Sequence, residues 1–526
     1  MIKTKKYVKI FLVLSLFFLV YFFYGNVLYF NFSIIDDHQT IQLIGPDNYL
    51  NYQDLIENLK DIFSNVISSK IRSTLIFLYV PIEVFVFQDN VNYYYIFRLI
   101  ILTLFFVIIF NFSSNFIGNF NAFIITTIFL LSQSIHDIIS RIYVSEFIII
   151  LSLVFLFPLF FKFVKNYNVS SIKNFGVGSS LVFLFSFIIL IFSKESTLVL
   201  ILIPILLLIN VIKEEKKNFS LIFSIIIIII FFSYNILLIS NLLLNDESMI
   251  SGVVSLEFIN MVKIFLKFFK YIITNYFLHI FLIIYIYYFL KYPLFNFNLV
   301  LIIFINLILI SYQFFIYNGN LPSHIRYDFI LDLIFFINSF LLFIFLSHND
   351  FRLSNIKLIN IFSVFLLIVL SFKIFSSFDN KKNLLFKIKQ LNYFHTQLDK
   401  VTKSAKLHNE DILLSSYNVW DYELISSWYK FLRFKGLKND IYLKIEYSIK
   451  DMKNEVEKTF FKRLKDVSTS SDNKNIWTTN PESDWGFKDI SKFNFEKKCV
   501  GLSILRDETK IIEYCEKSHK YIYTPF

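Results

Sequence analysis

The chain has 526 residues, length enough for about three soluble domains. Composition excludes that: 56% of the residues are hydrophobic and 17% charged, against about 25% charged in an ordinary soluble chain. Disordered, collagen-like and disulfide-scaffold classes are excluded as well, and the predicted class is a polytopic membrane protein.

The net charge of +11 is spread unevenly. Residues 1–376 hold 24 Lys+Arg and 19 Asp+Glu, whereas 377–526 hold 27 and 21 together with all four Trp. That shift predicts a boundary near Phe375–Lys382 between a membrane domain, 1–376, and a small terminal domain, 377–526. The basic balance suits anionic lipid headgroups, and no nucleic-acid-binding motif is present.

In chain order, Met1-Ile-Lys-Thr-Lys-Lys precedes an apolar run over about Tyr7–Tyr29. It is longer than a secretory signal core and lacks a small-residue cleavage site, so it reads as an uncleaved first helix. An outer loop, 30–94, follows. Within it Asp54–Ile67 sets Leu55, Ile56, Leu59, Ile62, Phe63, Val66 and Ile67 at helical spacing, the pattern of a helix lying on a membrane. The run Arg72–Phe87, which contains Pro81, is too short to span and predicts a broken, partly inserted hairpin. Further spans are expected at about 95–115, 122–138, 147–163, 178–193, 197–212, 219–241, 271–290, 296–317, 328–347 and 357–376, roughly eleven in all. Between them, Glu257–Lys270 sets Lys263, Lys267 and Lys270 on one face, as in a basic interfacial helix.

Lys3, Lys5, Lys6 and Lys9 precede the first span; Lys162, Lys165 and Lys173 follow the fourth; Lys213, Lys216 and Lys217 follow the sixth. All three clusters fall on one side, which the positive-inside rule makes cytoplasmic. Eleven spans then put 377–526 outside. There Asp411–Tyr417 and Tyr521–Phe526 read as strands and Asp451–Asp466 as a charged helix, a small α/β or α+β domain. Cys499 and Cys515 both lie in it, where an oxidising compartment permits a disulfide; two free thiols are the alternative.

Ionisable residues at membrane edges are costly and tend to be functional. Four clusters stand out. Asp36-Asp37, just beyond the first span, are adjacent carboxylates suited to general-base work, metal ligation or sugar-hydroxyl binding; a helix-terminating pair in a wet loop is the competing reading. Arg141 and Glu146 lie between spans three and four, and Lys194-Glu195 separates spans five and six. Arg326-Tyr327 precedes span ten, where a guanidinium suits phosphate, or an interfacial anchor. All four fall on the outer side and are expected to converge on one cavity.

These features resemble the GT-C superfamily of membrane glycosyltransferases, in particular its O-mannosyltransferase-like and bacterial branch. The residues carrying the resemblance are Asp36-Asp37 opening the first outer loop, Arg72-Ser-Thr-Leu and Asp89-Asn-Val-Asn, Arg141…Glu146, Ser193-Lys-Glu-Ser, and His324-Ile-Arg-Tyr. It covers about residues 1–350, with Ser73 where a Pro is usual. The resemblance implies a multi-pass protein of a bacterial inner or plasma membrane, with an all-α GT-C-like domain and an extracytoplasmic terminal domain. It further implies inverting transfer of a sugar from a polyprenyl-phosphate donor to a glycan, lipid or protein acceptor. Asp36 would be the base and Asp37 a helper or metal ligand. Lys194 and Arg326 would meet the donor phosphate, and Arg141, Glu146, Glu195 and Tyr327 would complete the site. Some members use a divalent metal such as Mg or Mn and others none; both remain open. A transporter or flippase for lipid-linked saccharides, a polymerase or ligase, and an assembly protein are the rival readings.

Overall fold

A computed structural model of the chain describes residues 2–33, 37–44, 48–68, 75–165, 176–201, 204–205, 219–244, 262–267, 270, 325–348, 352–353, 356–408, 411–416, 422–445, 499–504, 509–512 and 523–524. Within them the protein is mostly helical, with little sheet.

The first helix, α1 (Ile2–Tyr24), continues into a 3-10 turn, Gly25–Tyr29, after which the chain runs extended through Phe30–Ser33. Three shorter helices form the loop after the first helix: α2 (His38–Ile44), α3 (Tyr52–Ile67) and α4 (Ile76–Phe87). Helix α3 begins where the Asn51 side chain accepts the Asp54 amide at 2.9 Å, satisfying one of the donors a helix start leaves orphaned. It buries Leu55 and leaves Phe63 and Ile67 exposed, as its amphipathic spacing requires. The predicted break at Pro81 is corrected: α4 runs through it. A proline in the second turn removes one backbone hydrogen bond, and burial of Val80, Pro81 and Val84 against the protein offsets that. Helix α4 ends at Gln88, whose side chain holds the Leu50 amide and carbonyl at 2.8 and 3.1 Å and so closes the loop.

The bundle continues with α5 (Val91–Ile117), α6 (Asn119–Leu130), α7 (Gln133–Ile139), α8 (Ser145–Lys165), α9 (Val177–Ser193), α10 (Phe219–Leu244), α11 (Phe329–His348) and α12 (Leu358–His408). Among the described residues four helices are long and apolar enough to cross a membrane, or five if the bent pair α6–α7 counts as one. Those lengths fit a bilayer core. Helices α6 and α7 meet at 57° because Leu131-Ser132 leaves the helix, Ser132 being extended. Carbonyls freed by such a break need donors. The Tyr24 hydroxyl donates to Leu130 O, and Ser377 Oγ donates to Leu131 O at 3.2 Å. The expected span at 197–212 begins instead as a 3-10 turn, Glu195–Ile201. The spans at 271–290 and 296–317 and the helix at 451–466 lie outside the described residues, and residues 262–267 are helical.

Helix α12 has 51 residues and passes the composition boundary without a break, so membrane bundle and terminal region share one helix. Beyond it, β3 (Asp411–Ser416), α13 (Tyr422–Phe434) and β4 (Ile441–Ile445) form a parallel β-α-β unit. A short antiparallel pair, β1 (Arg352–Leu353) and β2 (Ile356–Lys357), precedes α12. The main sheet is completed by β5 (Cys499–Ile504), β6 (Thr509–Ile512) and β7 (Tyr523–Thr524) in the order β4-β3-β5-β6-β7. Cys499 begins β5, and Cys515 lies outside the described residues. Helix α13 packs on α12 through Trp428 and Phe431, whose rings meet Phe394 at 4.8 and 5.1 Å, and on α2 of the first loop.

Candidate functional site

The site grows from one peptide unit. Asp37 is fully buried in the turn that opens α2. Its Oδ2 accepts the Ser33 amide at 2.7 Å, closing the loop on itself. Its Oδ1 accepts the amides of Ile142 at 2.8 Å and Tyr143 at 3.1 Å, in the link between α7 and α8. Amide donors to an ionised carboxylate are among the stronger protein hydrogen bonds, so Asp37 fastens the first loop to the α7–α8 link. The Ile142 carbonyl is held from the other side by Arg98 Nη2. Arg98 is fully buried in α5 and forms a two-pronged pair with Glu83 of α4, Nη1 on Oε1 and Nη2 on Oε2 at 3.1 Å. Tyr79 donates to Glu83 at 3.1 Å, and the guanidinium lies 4.5 Å from the Phe147 ring centre. A buried charge pair is best tolerated when its remaining donors and acceptors are also met; here the Ile142 carbonyl and the Tyr79 hydroxyl meet some of them, while Arg98 Nε is buried without a hydrogen-bond partner among the described residues.

The flanks of that link carry the next charges. Arg141 Nε contacts Asp137 Oδ1 at 3.1 Å one turn back on α7, both side chains about one-fifth exposed, at 21% and 19%. Glu146, 3% exposed in the first turn of α8, is paired with Lys194, which caps the C-terminal end of α9. Acid at a helix start and cation at a helix end each complement the helix dipole, so this pair joins two helices at their favourable termini. Arg326 sits partly buried in the 3-10 turn Ile325–Asp328, which packs on α7.

Three of the four sequence clusters are therefore linked directly: Asp37 to the segment after Arg141, and Glu146 to Lys194. The fourth arrives through α7, the helix whose Asp137 holds Arg141. Asp36 and the side chains of Glu195 and Tyr327 fall outside the described residues. Among the described residues no three His, Cys, Asp or Glu side chains are grouped to hold a metal ion. Asp37, with both oxygens on backbone amides, serves as an anchor.

Glu83, Arg98 and Asp137 were missed by sequence reasoning. Their signal was present: Glu83 and Arg98 are lone charges inside apolar helices, and such a charge needs a partner. Their spacing of 15 residues follows no helical rule, so only the fold pairs them. A second polar group was missed too. At the α6–α7 break, Ser134 Oγ donates to Asp332 Oδ2 of α11 at 2.5 Å, and Ser132 Oγ lies 3.0 Å from Ser134 Oγ.

Outside the spans, His395 on the polar half of α12 contacts Phe32 O at 3.0 Å, and its ring meets Phe431 at 5.3 Å. Burial pushes its pKa down to about 4, against a smaller upward pull from the Phe32 carbonyl. It stays neutral and pins the chain just before the aspartate loop. No family model, curated protein or solved structure matches the chain.

Proposed function

We propose that the chain is a membrane-embedded glycosyltransferase of GT-C type, moving a sugar from a polyprenyl-phosphate donor to an acceptor outside the cytoplasm. In this reading the N-terminus is cytoplasmic, the eleven-span arrangement holds, and residues 377–526 face outward. The supporting observation is the clamp on Ile142. Asp37 and Arg98 hold one peptide unit from both sides, which draws the aspartate loop, the Arg141–Glu146 segment and Lys194 to one end of the bundle.

Asp36 takes the proton of the acceptor hydroxyl, and the oxygen attacks the anomeric carbon with inversion. The bond to the lipid phosphate breaks, and the electron pair leaves on the phosphate oxygen. Lys194 and Arg326 offset that developing charge. Asp37 positions the loop, while Arg141, Glu146, Glu195 and Tyr327 shape the cavity. Replacing Asp36 with Asn in purified, nanodisc-embedded protein is expected to abolish transfer from a polyprenyl-phosphate hexose while donor binding persists. Unchanged transfer would overturn the assignment.

A second reading, a transporter for lipid-linked saccharides, is favoured by one observation: the bent α6–α7 pair with Ser132, Ser134 and Asp332 at its break. Interrupted helices with buried polar groups line substrate paths in transporters. This reading expects labelled lipid-linked saccharide to cross vesicles with no new glycosidic bond.

A further inference from the structure

The extended segment Phe30–Ser33 leads into the aspartate turn, and α12 meets its residues in order. Lys387 Nζ lies 5.7 Å from the Phe30 ring centre, Asn31 Nδ2 donates to Asn392 Oδ1 at 3.1 Å, and His395 contacts Phe32 O at 3.0 Å. Lys387 also reaches the other half of the clamp. Its Nζ donates to Ser140 Oγ at 3.2 Å and to Ser140 O at 3.3 Å. Ser140 is buried and is the residue on which α7 ends. A carbonyl at that place has no partner within its own helix, and a cation beside it complements the helix dipole. A methionine at 387 would keep the packing on Phe30 and leave that carbonyl without this donor. Arg141 follows Ser140, and the next two amides are the pair that Asp37 accepts. One ammonium on α12 therefore touches both segments that Asp37 joins, at Phe30 ahead of Ser33 and at Ser140 ahead of Ile142.

We propose that Lys387 is a positioning residue for the aspartate loop. It fixes the end of α7 against the segment entering the aspartate turn, and so sets how Asp37 meets the α7–α8 link and where Arg141 stands beside it. The inference rests on the proposed function only for its effect on sugar transfer. The polar half of α12 then belongs to the framework of the site. Lys387 acts through Ser140 and Phe30, and misplacement of a support by about 1 Å can slow a reaction about 100-fold.

The experiment uses the full chain in nanodiscs. Backbone hydrogen exchange is read by peptide mass spectrometry in wild type, Lys387→Met and Lys387→Arg. In Lys387→Met, peptides covering 30–37 and 138–144 are expected to exchange about fivefold faster, the equivalent of one ordinary hydrogen bond, while peptides of α3 stay unchanged. Lys387→Arg keeps the charge and is expected to restore protection. In the transfer assay, Lys387→Met is expected to lower kcat about tenfold or more with KM within about twofold, and Lys387→Arg to recover it. A lysine kept for stability alone would instead lower the melting temperature and speed exchange along the whole chain. That result, or unchanged exchange at 138–144, overturns the proposal. Faster exchange with unchanged kcat overturns it too, leaving a tether without bearing on the reaction. Should Lys387→Met fail to fold, Lys387→Gln, which is polar but uncharged, carries the same test. Wild-type protein that transfers no sugar removes the proposed function alone, and the exchange pattern still decides Lys387.

Discussion

Two buried polar regions of the molecule are built on different plans. In the clamp, Asp37, Arg98 and Glu83 are buried with their charges met by amides, a carbonyl and each other. On α2 and α13, Thr40 Oγ1 and Trp428 Nε1 are buried with no hydrogen-bond partner among the described residues. The difference teaches which buried polar groups fasten the chain and which merely tolerate burial. A network that pairs its charges holds chain segments in register, whereas a lone buried donor adds only a desolvation cost.

The comparison breaks most visibly at Arg98. Arg98→Met leaves Glu83 buried and unpaired, and a loss of about 3–5 kcal/mol is expected, read as a large drop in thermal unfolding temperature in detergent. The double variant Glu83→Leu with Arg98→Met is expected to recover most of it; failure to do so would mean the Ile142 carbonyl contact outweighs the ion pair. Asp37→Ala comes next. It orphans three backbone amides, and a loss of about 2–3 kcal/mol is expected. Faster proteolysis within both 30–37 and 140–146 should accompany it.

His395 sharpens the contrast through pH. Its folded pKa of about 4 lies below the unfolded value near 6.5. Its contribution is therefore complete above pH 6.5 and is lost as pH falls toward 4. Unfolding midpoints of wild type and His395→Gln, compared across that interval, should show the steeper decline in wild type; parallel curves would remove His395 from the account. The smallest effect is expected at Arg141. Its pair with Asp137 is partly exposed and within one helix, so Arg141→Gln should cost less than about 1 kcal/mol, while any effect on transfer reports its place in the cavity.

Much of the helical bundle was legible because apolar runs of bilayer length have few alternatives. Runs at 7–29, 95–115, 219–241 and 357–376 reappear within helices that the structure draws at those positions. What stayed hidden depended on three dimensions. The α6–α7 bend reads as one apolar stretch, since Leu131-Ser132 carries no Pro or Gly to announce it. Helix α12 crosses a shift in composition that looks like a boundary, because helix propensity is indifferent to whether the exposed face meets lipid or water. For the site, the meeting of Glu146 with Lys194 was readable from charge and span parity. The part played by Asp37 was not, since a carboxylate that binds backbone leaves no complementary residue in the sequence. Glu83 and Arg98 were visible as isolated charges, yet nothing in their spacing said that they belong together.

The uninterrupted α12 makes the bundle and the sheet two ends of one lever. At about 1.5 Å per residue it is about 75 Å long, so tilting one end by about 5° would sweep the other through about 6 Å. Helix α13 is fastened to this rod by Trp428 and Phe431, and Asn31 and Phe32 are tied to it by Asn392 and His395. Rocking of the rod within the lipid would therefore carry the aspartate loop and α13 along together as one jaw, keeping their junction closed.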